Sequence, residues 1–188
     1  MTRTYAALLL LFWLAQPVKA EVQEHLQEQR YDLQVASGES LSRALSLASP
    51  IRQNGQIYHA YTGWQVQWNF WWREQRDGRC RIERTRTRLH TTITLPRLGG
   101  GDAQQRQRFE RYLDALREHE QGHHRIGQTA AAEIDAALLA TPEYPSCTEL
   151  QQQANLRANA ILQRHAEQEG QYDRQTGHGR TQGAWLRE

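Results

Sequence analysis

Apolar and polar positions along this chain fall into two periods. From Tyr58 to Trp72 the period is two: Trp64, Val66, Trp68, Phe70 and Trp72 share one face, and Gly63, Gln65, Gln67 and Asn69 share the other. That alternation predicts a strand with one buried side, and an aromatic row of this kind reads as a core face rather than an exposed sugar platform. After the turn Arg76-Asp77-Gly78-Arg79, Cys80 to Leu95 returns as a second long strand, so the pair forms an antiparallel hairpin. Ile82 lies on one phase and Leu89, Ile93 and Leu95 on the other, which predicts a bulge or twist between them. Pro96 and Gly99-Gly100-Gly101 are expected to end the sheet region.

Upstream, Glu21 to Arg30 is polar and reads as loose chain, and Tyr31, Leu33 and Val35 alternate as a short strand. Ser37-Gly38-Glu39-Ser40 supplies helix-start chemistry for a small stripe of Leu41, Ala44, Leu45 and Ala48 that Pro50 stops. Asn54-Gly55 marks a turn.

Beyond Asp102, which can cap a helix from Ala103, the period becomes 3.6. Phe109, Tyr112, Leu113, Leu116, His119, Glu120, His123, Ile126, Ala130, Ile134 and Leu138 step by three and four along one buried face. Thr141-Pro142-Glu143-Tyr144-Pro145 breaks this helix. A second, from about Ser146 to Glu169, places Leu150, Ala154, Ala158, Ile161, Leu162 and His165 together. Tyr172 to Ala184 is Gly-rich without a period and reads as loop. The fold class expected is therefore α+β: an antiparallel sheet with a long hairpin, packed against one long helix and a second C-terminal helix in a zincin-like arrangement.

Residues 1–20 change the compartment. Arg3, an apolar run of about ten residues from Ala6 to Ala15 and the small residues of Val18-Lys19-Ala20 form the pattern of a cleavable signal peptide. A run that short does not span a membrane, which takes about 20 apolar residues. The expectation is a periplasmic or secreted protein cut near Ala20, with residues 21–188 as a single domain. Losing Arg3 and Lys19 leaves 21 basic and 21 acidic residues, with no basic excess of the kind nucleic-acid binding needs. In an exported chain, the two cysteines, Cys80 and Cys147, predict a disulfide.

The long helix carries His119-Glu120-Gln121-Gly122-His123. Residues four apart share a helix face, so two imidazoles point at one place, as zinc requires, and Glu120 beside the first ligand can reach a zinc-bound water. Because the motif lies on the buried stripe, its polar groups need partners, which a metal and its water would supply. His124 points about 100° away from His123 and reads as a surface or outer-shell residue.

A catalytic zinc needs a third ligand. Glu133 is ten residues past His123, about 15 Å along a continuous helix, which excludes it. The metzincin extension fails because Ile126 and Thr129 occupy its Gly and His positions. Of the remaining candidates, His178 ranks first because Gly177 and Gly179 let its backbone take unusual angles. His165 follows, and His90 and His59 rank below it. Asp173 is a further candidate ligand, or the outer-shell carboxylate that orients one, and Tyr172 is a candidate outer-shell or transition-state group.

These residues carry a resemblance. Tyr61-Thr62-Gly63-Trp64, Cys80, Leu95-Pro96, His119-Glu120-Gln121-Gly122-His123, Cys147 and Tyr172-Asp173-x-x-Thr176-x-His178-Gly179 are similar to an uncharacterised bacterial family, a domain of unknown function described as predicted secreted zinc-dependent proteases. The resemblance covers most of residues 31 to 184. It implies zinc held by His119 and His123, with Glu120 as catalyst. The function expected is a zinc-dependent metallopeptidase acting on a peptide or protein substrate, cell-envelope polymers among them. The rivals are a non-catalytic envelope module stabilised by zinc and a glycan-binding domain using Trp64, Trp68 and Trp72.

Overall fold

The computed structural model describes residues 22–53 and 55–186. The leader expected over residues 1–20 and Asn54 of the expected turn lie outside that range. The elements run β1 (Val22–Val35), α1 (Leu41–Ala48), β2 (Arg52–Gln53), β3 (Gln56–Ile57), β4 (Tyr61–Glu74), β5 (Cys80–Gly100), α2 (Ala103–Leu139) and α3 (Cys147–Thr176), followed by a 3-10 turn at Arg180–Gln182. The fold is α+β, with a three-stranded sheet in the order β1-β5-β4. Among the described residues, no helix is long and apolar enough to cross a membrane.

The hairpin forms as the alternation predicts, with Tyr61 opposite Thr94 and Glu74 opposite Cys80. Trp71 pairs with Arg84 but Trp72 with Ile82, so Glu83 is the extra residue of a bulge. This one-residue insertion moves the buried phase of β5 from Cys80 to the set Thr85, Thr87, Leu89, Thr91, Ile93 and Leu95.

Three expectations about the sheet need correction. The sheet is mixed rather than antiparallel, because β1 lies parallel to β5, from Val22 opposite Thr87 to Val35 opposite Gly100. Glu21 to Arg30 is not loose either: from Val22 on it is edge strand. Its polar residues hid the strand, since an edge held by ladder hydrogen bonds and exposed over most of its length shows no apolar alternation. β5 likewise passes Pro96 instead of stopping there. Beyond Thr94 it has no β4 partner, so Pro96 needs ladder bonds on one side only.

Two apolar clusters flank the middle of α2. One gathers Leu33, Val35, Leu45, Ile93 and Leu95 against Phe109, Tyr112 and Leu116 of the helix's first half. The other gathers Val66 and Leu89 against Ala130, Ala131, Ile134 and Leu138 of its second half and Ala154 and Ala158 of α3. Trp64 and Trp68 pack on this second cluster, with their indole N–H groups donating to Glu169 Oε1 (2.6 Å) and Asn155 Oδ1 (2.9 Å) of α3. Both indoles are partly buried there, whereas Trp72 near the end of β4 is exposed. The Cys80–Cys147 disulfide forms, with Cα atoms 5.0 Å apart, and ties the start of β5 to the start of α3.

Candidate metal centre

The polar stretch between the two clusters is His119 to His123. α2 is started by a capping box, in which the Asp102 carboxylate accepts from Gln105 N (2.9 Å) while Gln105 Oε1 accepts from Asp102 N (2.7 Å). Its helical spacing turns His119, Glu120 and His123 inward, and all three are buried. The facing wall comes from the end of α3, which runs seven residues past its expected end at Glu169. Gly170 does not break it, because an interior glycine costs only about 1 kcal/mol. Glu169, Tyr172, Asp173 and Thr176 therefore follow i, i+3, i+4, i+7 spacing and share one face against α2. Gly177 ends the helix in the left-handed conformation (φ 57°), and His178 (φ 52°) and Gly179 (φ 81°) keep that hand. The chain thus folds back and returns Gln182 to His119.

Three atoms converge. His119 Nε2 and His123 Nε2 lie 3.2 and 3.1 Å from Asp173 Oδ1, and 3.3 Å from each other. Tetrahedral zinc with bonds of about 2.0–2.1 Å would hold its ligand atoms about 3.3 Å apart. The opposite ring nitrogens are already engaged: His119 Nδ1 donates to Gln182 Oε1 (2.9 Å) and His123 Nδ1 to Glu169 Oε1 (3.1 Å). Both Nε2 atoms and a carboxylate oxygen therefore face one point, an arrangement that calls for a cation among them, whether a metal or a proton. The donor set fits zinc or a similar divalent metal. The pull toward positive charge is also visible in protonation. Burial opposes a charge on His123, but Asp173 and Glu169 outweigh it and push its pKa up to about 10. Burial would raise Asp173, yet hydrogen bonds from His119 and His123 hold it below the usual carboxylate range.

Glu120 stands beside this point without joining it. Its Oε2 accepts from Thr62 Oγ1 (2.7 Å) on β4, and burial raises its pKa despite that bond. The cluster opens into a cavity of about 230 Å³, lined also by Tyr58, His59, Leu116 and His178.

The structure brings four of the candidate site residues together as atoms of one cluster or its rim: His119, His123, Asp173 and His178. Asp173, ranked below His178 as a ligand and considered also for the outer shell, makes the direct contacts with both imidazoles. His178, expected as third ligand, is half exposed with Nδ1 3.4 Å from the same Asp173 oxygen. Tyr172 stacks on His119 (centroids 5.0 Å apart, 11° between planes), its hydroxyl donating to His119 O (3.3 Å) and accepting from Gln182 Nε2 (3.0 Å). It holds the ring from behind and does not line the cavity. His165 is elsewhere, bonded through Nε2 to Glu133 (2.8 Å), so both of these earlier candidates pin α3 to α2. His59 bonds to Tyr112 (2.7 Å), and His90 meets His25 on the sheet. His124 is buried rather than at the surface, bonded to Thr91 Oγ1 (3.0 Å).

Glu169 and Gln182 were missed from the sequence. The i, i+3, i+4, i+7 run ending at Thr176 is the signal that would have found Glu169. Gln182 has none, because a non-helical reversal places it.

The chain belongs to a family described as bacterial protein of unknown function (DUF922), whose model matches residues 28–179. No curated protein and no solved structure matches it.

Proposed function

We propose that this DUF922 protein is a periplasmic or secreted zinc-dependent peptidase with a zincin-like site, its metal held by His119, His123 and Asp173. The observation that carries the reading is the convergence of two imidazole Nε2 atoms and a carboxylate oxygen beside a buried, hydrogen-bonded Glu120 at the edge of a cavity. A zinc ion there supplies an activated water and a polarised carbonyl. The chain's own residues do the rest. Glu169 and Gln182 fix which ring nitrogens face the metal, and Tyr172 holds the plane of His119. Thr62 orients the Glu120 carboxylate, and burial raises its proton affinity toward that of a group that accepts a proton from water and returns it to a leaving amine. Tyr58 and His178 line the cavity beside the cluster.

The nearness of His178 to Asp173 favours a second reading. Four protein ligands would close the coordination sphere and make the zinc structural, as in a non-catalytic envelope module. One experiment separates them: metal analysis and peptide hydrolysis of wild type beside Glu120→Gln. The peptidase reading expects stoichiometric zinc in both and hydrolysis lost in the variant. Zinc without hydrolysis in either protein supports the structural reading.

A further inference from the structure

The sheet has a second face, turned away from α2 and α3, that no element covers along the middle of β5. Its outward positions are Arg84, Arg86, Arg88 and His90 on β5, flanked by Gln65, Gln67, Asn69 and Trp71 on β4 and by Gln23, His25 and Gln27 on β1. Side-chain contacts show that they share one surface. The Arg84 guanidinium lies 4.0 Å and that of Arg86 5.7 Å from the Trp71 ring centre, Arg88 Nε donates to Gln23 Oε1 (3.2 Å), and the His25 and His90 rings are 5.7 Å apart. No carboxylate occupies any of these outward positions.

Acidic and basic residues balance outside residues 1–20, and several arginines elsewhere are paired: Arg79 with Asp77, Arg97 with Asp32, Arg125 with Glu118 and Arg164 with Glu133. What sets this face apart is three arginines in a row at alternate positions of one strand with no carboxylate between them. Glu83, at the hairpin end of the sheet, pairs with Arg73 and Arg81. Among the described residues, none of Arg84, Arg86 and Arg88 is in an ion pair. Alternate strand residues stand about 7 Å apart, so the three guanidinium groups repel one another along a line of about 14 Å. A periodic anion would relieve that repulsion.

We propose that this face docks a linear acidic polysaccharide. The arginine forks suit repeated acid groups, and the rows of Gln and Asn amides suit the hydroxyls between them. Two other polyanionic partners fit less well. A lipid surface calls for apolar side chains beside the basic ones, and Trp71 alone, its ring covered by Arg84, does not supply them. Single-stranded nucleic acid calls for several free aromatic faces on which bases stack. An exported chain with a disulfide would meet such a polymer outside the cytoplasm.

The test is binding of the purified protein to polygalacturonate, with neutral dextran as control. The triple variant Arg84→Gln/Arg86→Gln/Arg88→Gln is measured beside Arg79→Gln/Arg97→Gln/Arg125→Gln, which removes the same charge from paired sites. The expected result is binding to polygalacturonate and not dextran, weakened by rising salt and reduced about tenfold or more by the first triple only. Equal loss in both triples, no preference over dextran, or tighter binding to phosphatidylglycerol vesicles or to a single-stranded oligonucleotide overturns the proposal. Circular dichroism of both triples separates lost binding from lost fold.

Discussion

The phenol of Tyr172 fills the space that a side chain at Gly122 would take, and its ring lies stacked on His119. Gly122 is therefore the contact through which α3 approaches α2 closely enough to bring Asp173 to the imidazoles. Gly122→Ala is expected to push Tyr172 away, lower stability by about 1–3 kcal/mol in urea unfolding, and weaken zinc binding at the same time. Unchanged stability with unchanged zinc affinity would show that the contact is not needed.

The proposed metal ligands should be separable by affinity. Asp173→Ala removes an atom from the convergence point and is expected to weaken zinc binding by more than about 100-fold, whereas Glu169→Gln, which disturbs only the outer bond to His123, should cost about 10–100-fold. His178→Ala should retain zinc. Competition with a chelating dye measures all three, and zinc loss in the His178 variant with retention in the Asp173 variant would exchange their roles.

Glu133 should stabilise the α2–α3 contact in a pH-dependent way. Its pKa lies below the usual carboxylate value, chiefly through the hydrogen bond with His165. A depressed carboxylate contributes stability above its unfolded pKa and loses it as pH falls through the folded one. Glu133→Gln is thus expected to be less stable than wild type at neutral pH, the gap narrowing below about pH 4.5, the unperturbed value. A gap that stays constant from pH 7 to pH 3 in thermal unfolding would rule this out.

Replacing Cys80 and Cys147 by serine opens a loop of 67 residues. The chain-entropy model puts the loss at about 4 kcal/mol. Cys80 also exchanges backbone hydrogen bonds with Tyr144 (2.9 and 3.0 Å), so the start of β5 should keep its place while the protein unfolds at lower temperature. A melting temperature that is insensitive to reductant in the wild type would contradict the model.

Local chemistry made much of this protein readable from its residues. Alternation along Trp64–Trp72 and Cys80–Leu95 specified the hairpin, because an antiparallel pair with one buried face must show period two. The phase change between Ile82 and Leu89 pointed to a bulge or twist between them, and strand pairing places it at Glu83. The stripe through Phe109, His119, His123 and Leu138 specified α2 and the inward turn of its imidazoles, since helical spacing alone decides which residues share a face. Tertiary structure decided what depends on partners distant in sequence. β1 is a strand because β5 is beside it, and its own polar residues carry no trace of that pairing. Asp173 rather than His178 contacts His119 and His123, because α3 continues past Gly170 and packs on Gly122. His119-Glu120-x-x-His123 names two corners of a candidate metal site from the sequence alone; the third corner is set by how closely two helices approach, which is a property of packing and not of spacing along the chain.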